Sequence, residues 1–122
     1  MRLALLAIVA FGLHGPTSLR ADVDEWSIVP STGLVAAGPV KITVRNLGEA
    51  PHTIVLVRTA GFDDRLPLRG DHAVVHPVAV APAVAPGASA SFTVLLRRGY
   101  YLLLDNGPWA YWRGMSVAFT VR

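Results

Sequence analysis

Short apolar runs, separated by glycine, proline or asparagine about every 8–12 residues, dominate this chain from residue 22 onward. In residues 41–45 polar and apolar side chains alternate, as they do in a strand with one buried face. None of the runs has the length and period of an ordinary helix. The pattern therefore predicts an all-β sandwich or barrel, and a length of 122 residues suits a single domain with a modest core.

The segments between the runs are interpreted as turns and loops. Residues 59–70 lack a clear period and are expected to form a loop or one short helical turn. Residues 81–86 are rich in alanine and proline, which favours an extended connector over a central strand. The predicted strands cover residues 26–29, 34–37, 41–45, 52–57, 72–80, 89–96, 100–104 and 116–121.

The first 21 residues have the features of a secretory signal peptide. Arg2 precedes an apolar run from Leu3 to Leu13, and the small residue Ala21 lies just before an acidic stretch. The run is short for a bilayer-spanning helix, so an uncleaved anchor is the less favoured alternative. We therefore expect a signal peptide in residues 1–21 and a domain in 22–122. That domain is expected to be exported to the periplasm, the cell envelope or the extracellular space, without a transmembrane segment of its own.

The charges and the absence of cysteine exclude several classes of function. Loss of Arg2 and Arg20 with the signal peptide would leave nine of the eleven basic residues against eight acidic ones, a net charge of +1. The arginines are scattered along the sequence, so we expect no nucleic-acid partner. Without cysteine the domain has neither a disulfide nor a thiolate metal ligand.

Three segments, in this order, resemble the cupredoxin family. Val44–Leu56 resembles the family's strand, Asn-x-Gly turn and His-led strand, and Ala85–Ser89 resembles its Pro-Gly turn. The third, Gly99–Arg122, resembles the final hairpin with its copper loop, where five residues fall in register: Asn106, Pro108, Tyr111, Gly114 and Met115. The resemblance implies a Greek-key β-sandwich of about 7–8 strands with little or no helix and a site at one end.

The resemblance also implies which residues stand at the copper ligand positions. His52 stands at the first imidazole and Met115 at the thioether, whereas Asp105 replaces the cysteine and Ala110 replaces the second histidine. Blue copper needs a thiolate and two imidazoles, so we expect no blue-copper electron transfer. Our leading expectation is no metal and no cofactor, with His52, Asp105 and Met115 as vestigial candidates. The alternative is a copper protein that holds non-blue Cu(II) through these three residues for copper handling.

Asp105 is expected to point inward, as the family's residue does at this position. A buried carboxylate must be paired or neutralised, and we predict a hydrogen-bonded pair between Asp105 and His52. Arg113 is the competing partner. In the remaining alternative, Asp105 turns outward and serves only the turn.

Three aromatic residues, Trp109, Tyr111 and Trp112, crowd the loop of residues 105–115. One interpretation is that they fill the volume left by the missing copper and histidine, since aromatic side chains bury large areas. The other is an exposed patch that binds a protein partner, with Trp109 and Trp112 as the binding residues. Trp109 stands at the family's glycine position, which leaves open whether the loop keeps the family's backbone.

No enzyme motif accompanies these features. The sequence has no nucleophile motif, no phosphate-binding glycine loop and no carboxylate pair at catalytic spacing. His72 and His76 would lie too far apart on a strand to share one ion, so we interpret them as surface histidines. The sequence therefore predicts an exported binding or structural module that is not an enzyme.

Overall fold

The computed structural model describes residues 17–122, which form two packed β-sheets and a short hairpin, with no α-helix among them. The strand bounds, numbered in chain order, are β1 Ser18–Val23, β2 Ile28–Pro30, β3 Leu34–Val35, β4 Gly38–Asn46, β5 Ile54–Thr59, β6 Leu68–Arg69, β7 His72–Ala73, β8 Ala79–Val80, β9 Ser89–Leu96, β10 Gly99–Asp105 and β11 Ser116–Val121.

The two sheets have the strand orders β2-β1-β4-β9 and β3-β11-β10-β5-β8, and β6 pairs with β7. Most neighbours are antiparallel, while β1 with β4 and β3 with β11 are parallel. The inner faces of the sheets enclose the main core, which includes Leu19, Ile42, Ile54, Leu103 and Phe119. This all-β sandwich confirms the predicted fold class.

Strand β10 is buried on both faces. Leu103 lies in the main core, whereas Leu102 and Leu104 belong to a second cluster on the other face of the sheet. Leu66 and Tyr111 pack against this second cluster and cover it. The segment between β5 and β8 therefore lies over the sheet, so this face of β10 is covered as well.

Strand β1 was not predicted. Leu19, Ala21 and Val23 are buried, and β1 lies between β2 and β4 inside its sheet. The boundary that we predicted at residue 21 therefore falls within a core strand. Polar and apolar residues alternate along Ser18–Val23, the pattern of a strand, but the features of a signal peptide extend over the same residues. The remainder of the predicted signal peptide, residues 1–16, lies outside the described residues.

Some predicted elements differ in detail. The sequence predicts a strand at residues 72–80 that is broken by Pro77, and the structure has only two short strands there, β7 and β8, one on each side of that proline. The loop expected at 59–70 contains the strand β6. Residues 17–122 consequently form eleven strands, several of only two residues, where we expected about 7–8.

The strand registers define two ends of the sandwich. Val23 pairs with Asn46, and Asp105 pairs with Ile54, at the end that carries the loops 24–27, 46–53 and 105–115; we call it the loop end. At the opposite end β9 turns into β10 through Arg97 and Arg98. Among residues 17–122 no helix is long and apolar enough to cross a membrane.

Candidate functional site

Strand pairing brings His52 and Asp105 together at the loop end. Asp105 is the last residue of β10 and pairs with Ile54 of β5, two residues after His52. Residues at such diagonal positions on neighbouring strands are close enough for long side chains to meet. His52 is fixed by a bridge to Val84, in which each backbone N–H donates to the other residue's carbonyl, at 3.1 and 2.9 Å.

The side chains of His52 and Asp105 form a direct hydrogen bond. The distance from Nδ1 of His52 to Oδ2 of Asp105 is 2.7 Å, and both residues are 8% exposed. The other oxygen of Asp105, Oδ1, accepts from the N–H of Gly107 at 2.8 Å. Asp105 therefore points inward and pairs with His52, as predicted. Arg113, the competing partner, is exposed, and it makes no ion pair with Asp105 in the described part of the chain.

Glu25 faces the opposite edge of the imidazole, and this contact was not predicted from the sequence. Its Oε1 lies 3.4 Å from Nε2 of His52. The same oxygen accepts from the N–H groups of Glu49 and Ala50, at 2.7 and 2.8 Å. These backbone donors, Ala50 first, together with His52 hold the pKa of Glu25 below its ordinary value of 4.5. Glu25 thus presents an ionised carboxylate to His52.

His52 therefore lies between two carboxylates. An imidazole that has lost one proton offers one donor and one acceptor, so only the doubly protonated ring donates to both Asp105 and Glu25. The mostly buried ring thus has a carboxylate oxygen at each of its two nitrogens. We call Asp105, His52 and Glu25 the carboxylate–imidazole chain.

The side chain of Asn46 stabilises the turn that contacts the carboxylate–imidazole chain. It is fully buried, and its Nδ2 donates to the carbonyls of Ala50 and Val84, at 2.8 Å each. Its Oδ1 accepts from the N–H of Gly48 at 2.8 Å. These bonds fix the turn that supplies the N–H donors to Glu25. The resemblance includes Asn46 in its turn motif, but the sequence alone gives no sign of its contact with Val84.

The other residues at the copper ligand positions belong to the core. Met115 is 2% exposed and packs in the main core, and Ala110 packs against the same cluster. The carbonyl of Met115 accepts from the N–H of Asp105 at 3.0 Å, which closes the loop between β10 and β11. The structure therefore holds Met115 as an apolar core residue at the base of this loop.

The aromatic residues of the loop divide into two groups. Tyr111 is partly buried against the second core cluster, and its hydroxyl accepts from the N–H of Leu66 at 2.9 Å. Trp109 and Trp112 point outward, 47% and 66% exposed, with ring centroids 6.2 Å apart in an edge-on arrangement. Tyr111 thus fills space against the core, whereas Trp109 and Trp112 form an exposed patch, which we call the tryptophan pair.

Trp109 has a backbone conformation that normally favours glycine. Its φ is +62°, in the left-handed region, which costs a residue with a side chain about 1–2 kcal/mol. Two backbone hydrogen bonds hold it there. Its N–H donates to the carbonyl of Asp71 at 2.8 Å, and its carbonyl accepts from the N–H of Arg113 at 3.0 Å. This local conformation is one that glycine adopts readily, and here it carries a large, half-exposed side chain.

Comparison with known proteins places this geometry in a fold. No protein-family model and no curated protein matches the chain in sequence. Among solved structures it resembles reduced auracyanin from Roseiflexus castenholzii, with 23% identity, coverage of 88% of this chain and 98% of that one, and a TM-score of 0.65. It also resembles auracyanin A, a "blue" copper protein from Chloroflexus aurantiacus, with 18% identity, 88% and 100% coverage and a TM-score of 0.60. Rusticyanin from Thiobacillus ferrooxidans matches at 15% identity, 88% and 79% coverage and 0.60.

These likenesses show that the chain has the cupredoxin fold, as the sequence predicted. The residues at the ligand positions, however, do not fit a blue-copper centre, because the chain has no cysteine and Asp105 and His52 bond to each other. Within residues 17–122 no group of three or more His, Cys, Asp or Glu side chains is arranged to hold a metal ion.

Our prediction about cofactors, none with copper as the alternative, is wrong as a conclusion from the sequence. The similar structures include a copper protein, which contradicts the expectation that this chain has no cofactor. The described residues in turn lack the cysteine and the ligand cluster that copper would require, so a copper cofactor is not shown either.

Proposed function

We propose that this cupredoxin-fold domain is an exported, non-catalytic binding module that holds a protein partner at its loop end, through the tryptophan pair. The observation that carries the proposal is the backbone of Trp109. Residues held in strained conformations persist where the surroundings over-determine them, and they cluster at functional sites. Here the strain places an exposed indole beside that of Trp112.

The chemistry of the patch supports a protein partner. Tryptophan is enriched among residues that dominate binding at interfaces, because a large rigid side chain loses little entropy when it is buried. Trp112 also borders a cleft of about 310 Å³ lined by Asp63, Arg65 and Tyr111, which offers polar groups beside the apolar rings. An apolar centre with a polar rim is the usual composition of an interface.

The carboxylate–imidazole chain stabilises the loops that carry the proposed binding surface. It connects the loop 24–27, the turn 46–50 and the start of the loop 105–115, which contains the tryptophan pair. A side-chain network that crosses three loops reduces their freedom and pre-organises the surface for binding. The role proposed for Asp105 and His52 is therefore to hold the loop end in shape.

The experiment is a pull-down from the envelope fraction with four forms of the chain. We expect the wild type and Val29→Ala, which removes an exposed apolar side chain from β2, to retain the same partner. Trp112→Ala and Trp109→Gly should lose it, with each variant shown to be folded by circular dichroism. Equal recovery of that partner by all four forms would contradict the proposal.

A further inference from the structure

Four arginines gather at the end of the sandwich opposite the loop end, although they are scattered in the sequence. Arg97 and Arg98 form the turn between β9 and β10, and the pairing of Gly99 with Val121 places Arg122 across from Arg98. Arg58 of β5 pairs with Tyr101, two residues after Gly99. All four are exposed, and none makes an ion pair with a carboxylate within residues 17–122. We call this surface the arginine end.

The turn itself is built to present these side chains outward. The hydroxyl of Tyr101 donates to the carbonyl of Arg97 at 2.8 Å, and Nη2 of Arg58 donates to the carbonyl of Arg98 at 2.6 Å. A Cβ on Gly99 would lie 2.7 Å from Nη2 of Arg58, so glycine is what lets the guanidinium reach the turn. The backbone is thereby fixed, while the Arg97 and Arg98 side chains remain free to meet an anion.

Most acidic residues lie elsewhere on the molecule, the exception being Asp64, whose Oδ2 accepts from the N–H of Gly61, two residues after the Thr59 that pairs with Tyr100. Three belong to the segment between β5 and β7, and five lie on or near the loop end. These are Asp63, Asp64 and Asp71, and then Asp22, Asp24, Glu25, Glu49 and Asp105. The numbers of acidic and basic residues are nearly balanced, but the fold concentrates positive charge at one end. The field of that end attracts an anionic surface.

Apolar side chains accompany the arginines. Leu95, just before the turn, is 74% exposed, Leu34 of β3 is 42% exposed, and Tyr100 is 39% exposed. A mixture of cationic and exposed apolar or aromatic side chains is the composition of surfaces that lie on lipid headgroups. Strand β1 also begins in this half of its sheet, where Ser18 pairs with Lys41.

We propose that the arginine end docks on an anionic phospholipid surface. The guanidinium groups of Arg97, Arg98 and Arg122 contact lipid phosphates, and Arg58 adds its charge while it holds the turn. Leu95, Leu34 and Tyr100 enter the interface. This orientation directs the tryptophan pair away from the membrane, toward partners in the surrounding compartment. The proposal concerns a different surface from the one assigned to the partner and does not depend on it.

The test is co-sedimentation of the full chain with vesicles of phosphatidylcholine, with and without phosphatidylglycerol. We expect tighter binding to the anionic vesicles, weakened by added salt. Each arginine near an anionic surface contributes about 1 kcal/mol, so Arg97→Gln/Arg98→Gln should lower the partition coefficient by about 30-fold. The matched control is Arg65→Gln/Arg69→Gln, which removes the same charge from outside the arginine end and should change binding by less than about threefold.

Thermal unfolding verifies that each variant is folded. If the turn variant does not fold, Arg122→Gln serves instead, with an expected loss of about fivefold. Equal binding to neutral and anionic vesicles would overturn the proposal, as would equal losses in the turn variant and its control. Saturable binding of inorganic phosphate by calorimetry, without binding to anionic vesicles, would also overturn it in favour of a small-anion site.

Discussion

Nδ1 of His52 lies 2.7 Å from Oδ2 of Asp105, at the positions where the resemblance to cupredoxins puts a histidine ligand and the cysteine ligand. The cupredoxin scaffold therefore brings these two side chains into direct contact. With Glu25 on the other edge of the ring, the imidazole lies between side chains of the loops 24–27 and 105–115.

The first prediction concerns the stability of the fold at low pH. The pKa of Glu25 is lowered by the N–H of Ala50, then by Glu49 and His52, so its contribution to stability is present above pH 4.5 and is lost as the pH falls below it. The free energy of unfolding, measured with urea at each pH, should therefore fall less in Glu25→Gln than in the wild type as the pH is lowered from 6 to about 3. Asp24, whose pKa is lowered from 3.8 chiefly by the N–H of Trp26, loses its own contribution below pH 3.8, so the dependence of stability on pH becomes weaker in Glu25→Gln without vanishing.

Two further variants sharpen that measurement. Glu49→Gln removes one carboxylate from the same turn without touching the bonds of Glu25, and it should keep the wild-type slope. A Cβ on Gly48 would clash with Oε1 of Glu25, so Gly48→Ala should displace this carboxylate and give the weaker pH dependence of Glu25→Gln. A wild-type slope in both Glu25→Gln and Gly48→Ala would show that Glu25 makes no such contact in solution.

The second prediction separates stability from binding at Trp109. Replacement by glycine relieves a left-handed backbone worth about 1 kcal/mol, while it removes the edge-on contact with Trp112. We expect the free energy of unfolding of Trp109→Gly to stay within about 1 kcal/mol of the wild type. Trp109→Ala, which keeps the strain and loses the indole, should be less stable than Trp109→Gly. If urea unfolding showed Trp109→Ala to be more stable than Trp109→Gly, backbone strain at this position would be excluded.

The third prediction concerns the beginning of the domain. Leu19 is 1% exposed in the main core, and replacement of such a leucine by alanine costs about 2–5 kcal/mol. A chain that begins at Thr17 should fold, whereas one that begins at Asp22 lacks most of β1 and should be much less stable or unfolded. We propose accordingly that any cleavage of the signal peptide occurs before Ser18, which mass spectrometry of the exported protein can measure. A mature chain that begins at Asp22 and melts like the longer one would contradict this.

Much of the scaffold could be predicted from the sequence, because the period-two pattern and its turn residues are local. Strands β9 and β11 begin and end where the apolar runs do. Strand β1 was missed because two physical signals overlap in residues 18–21, a strand alternation and the end of an apolar leader pattern. The hydrogen-bonded pair was predictable from the resemblance, which fixes both residues in one register.

The contact of Glu25 could not be predicted in the same way. It depends on a turn that lies 24 residues further along the chain and on the absence of a side chain at Gly48. The arginine end was missed for a similar reason, since strands far apart in sequence bring Arg58, Arg98 and Arg122 together. The sequence showed scattered charges, and only the order of the strands shows that they share one end.

The most direct test of the account is a double-mutant cycle on His52 and Asp105, measured by urea unfolding at neutral pH. Removal of one member of a buried hydrogen-bonded pair leaves the other without its partner, so His52→Ala and Asp105→Ala should each cost about 2 kcal/mol. The double variant should cost clearly less than the two together, with a coupling energy above about 1 kcal/mol. Strictly additive losses would mean that the two side chains do not hold each other, and the proposed role of the carboxylate–imidazole chain would be wrong.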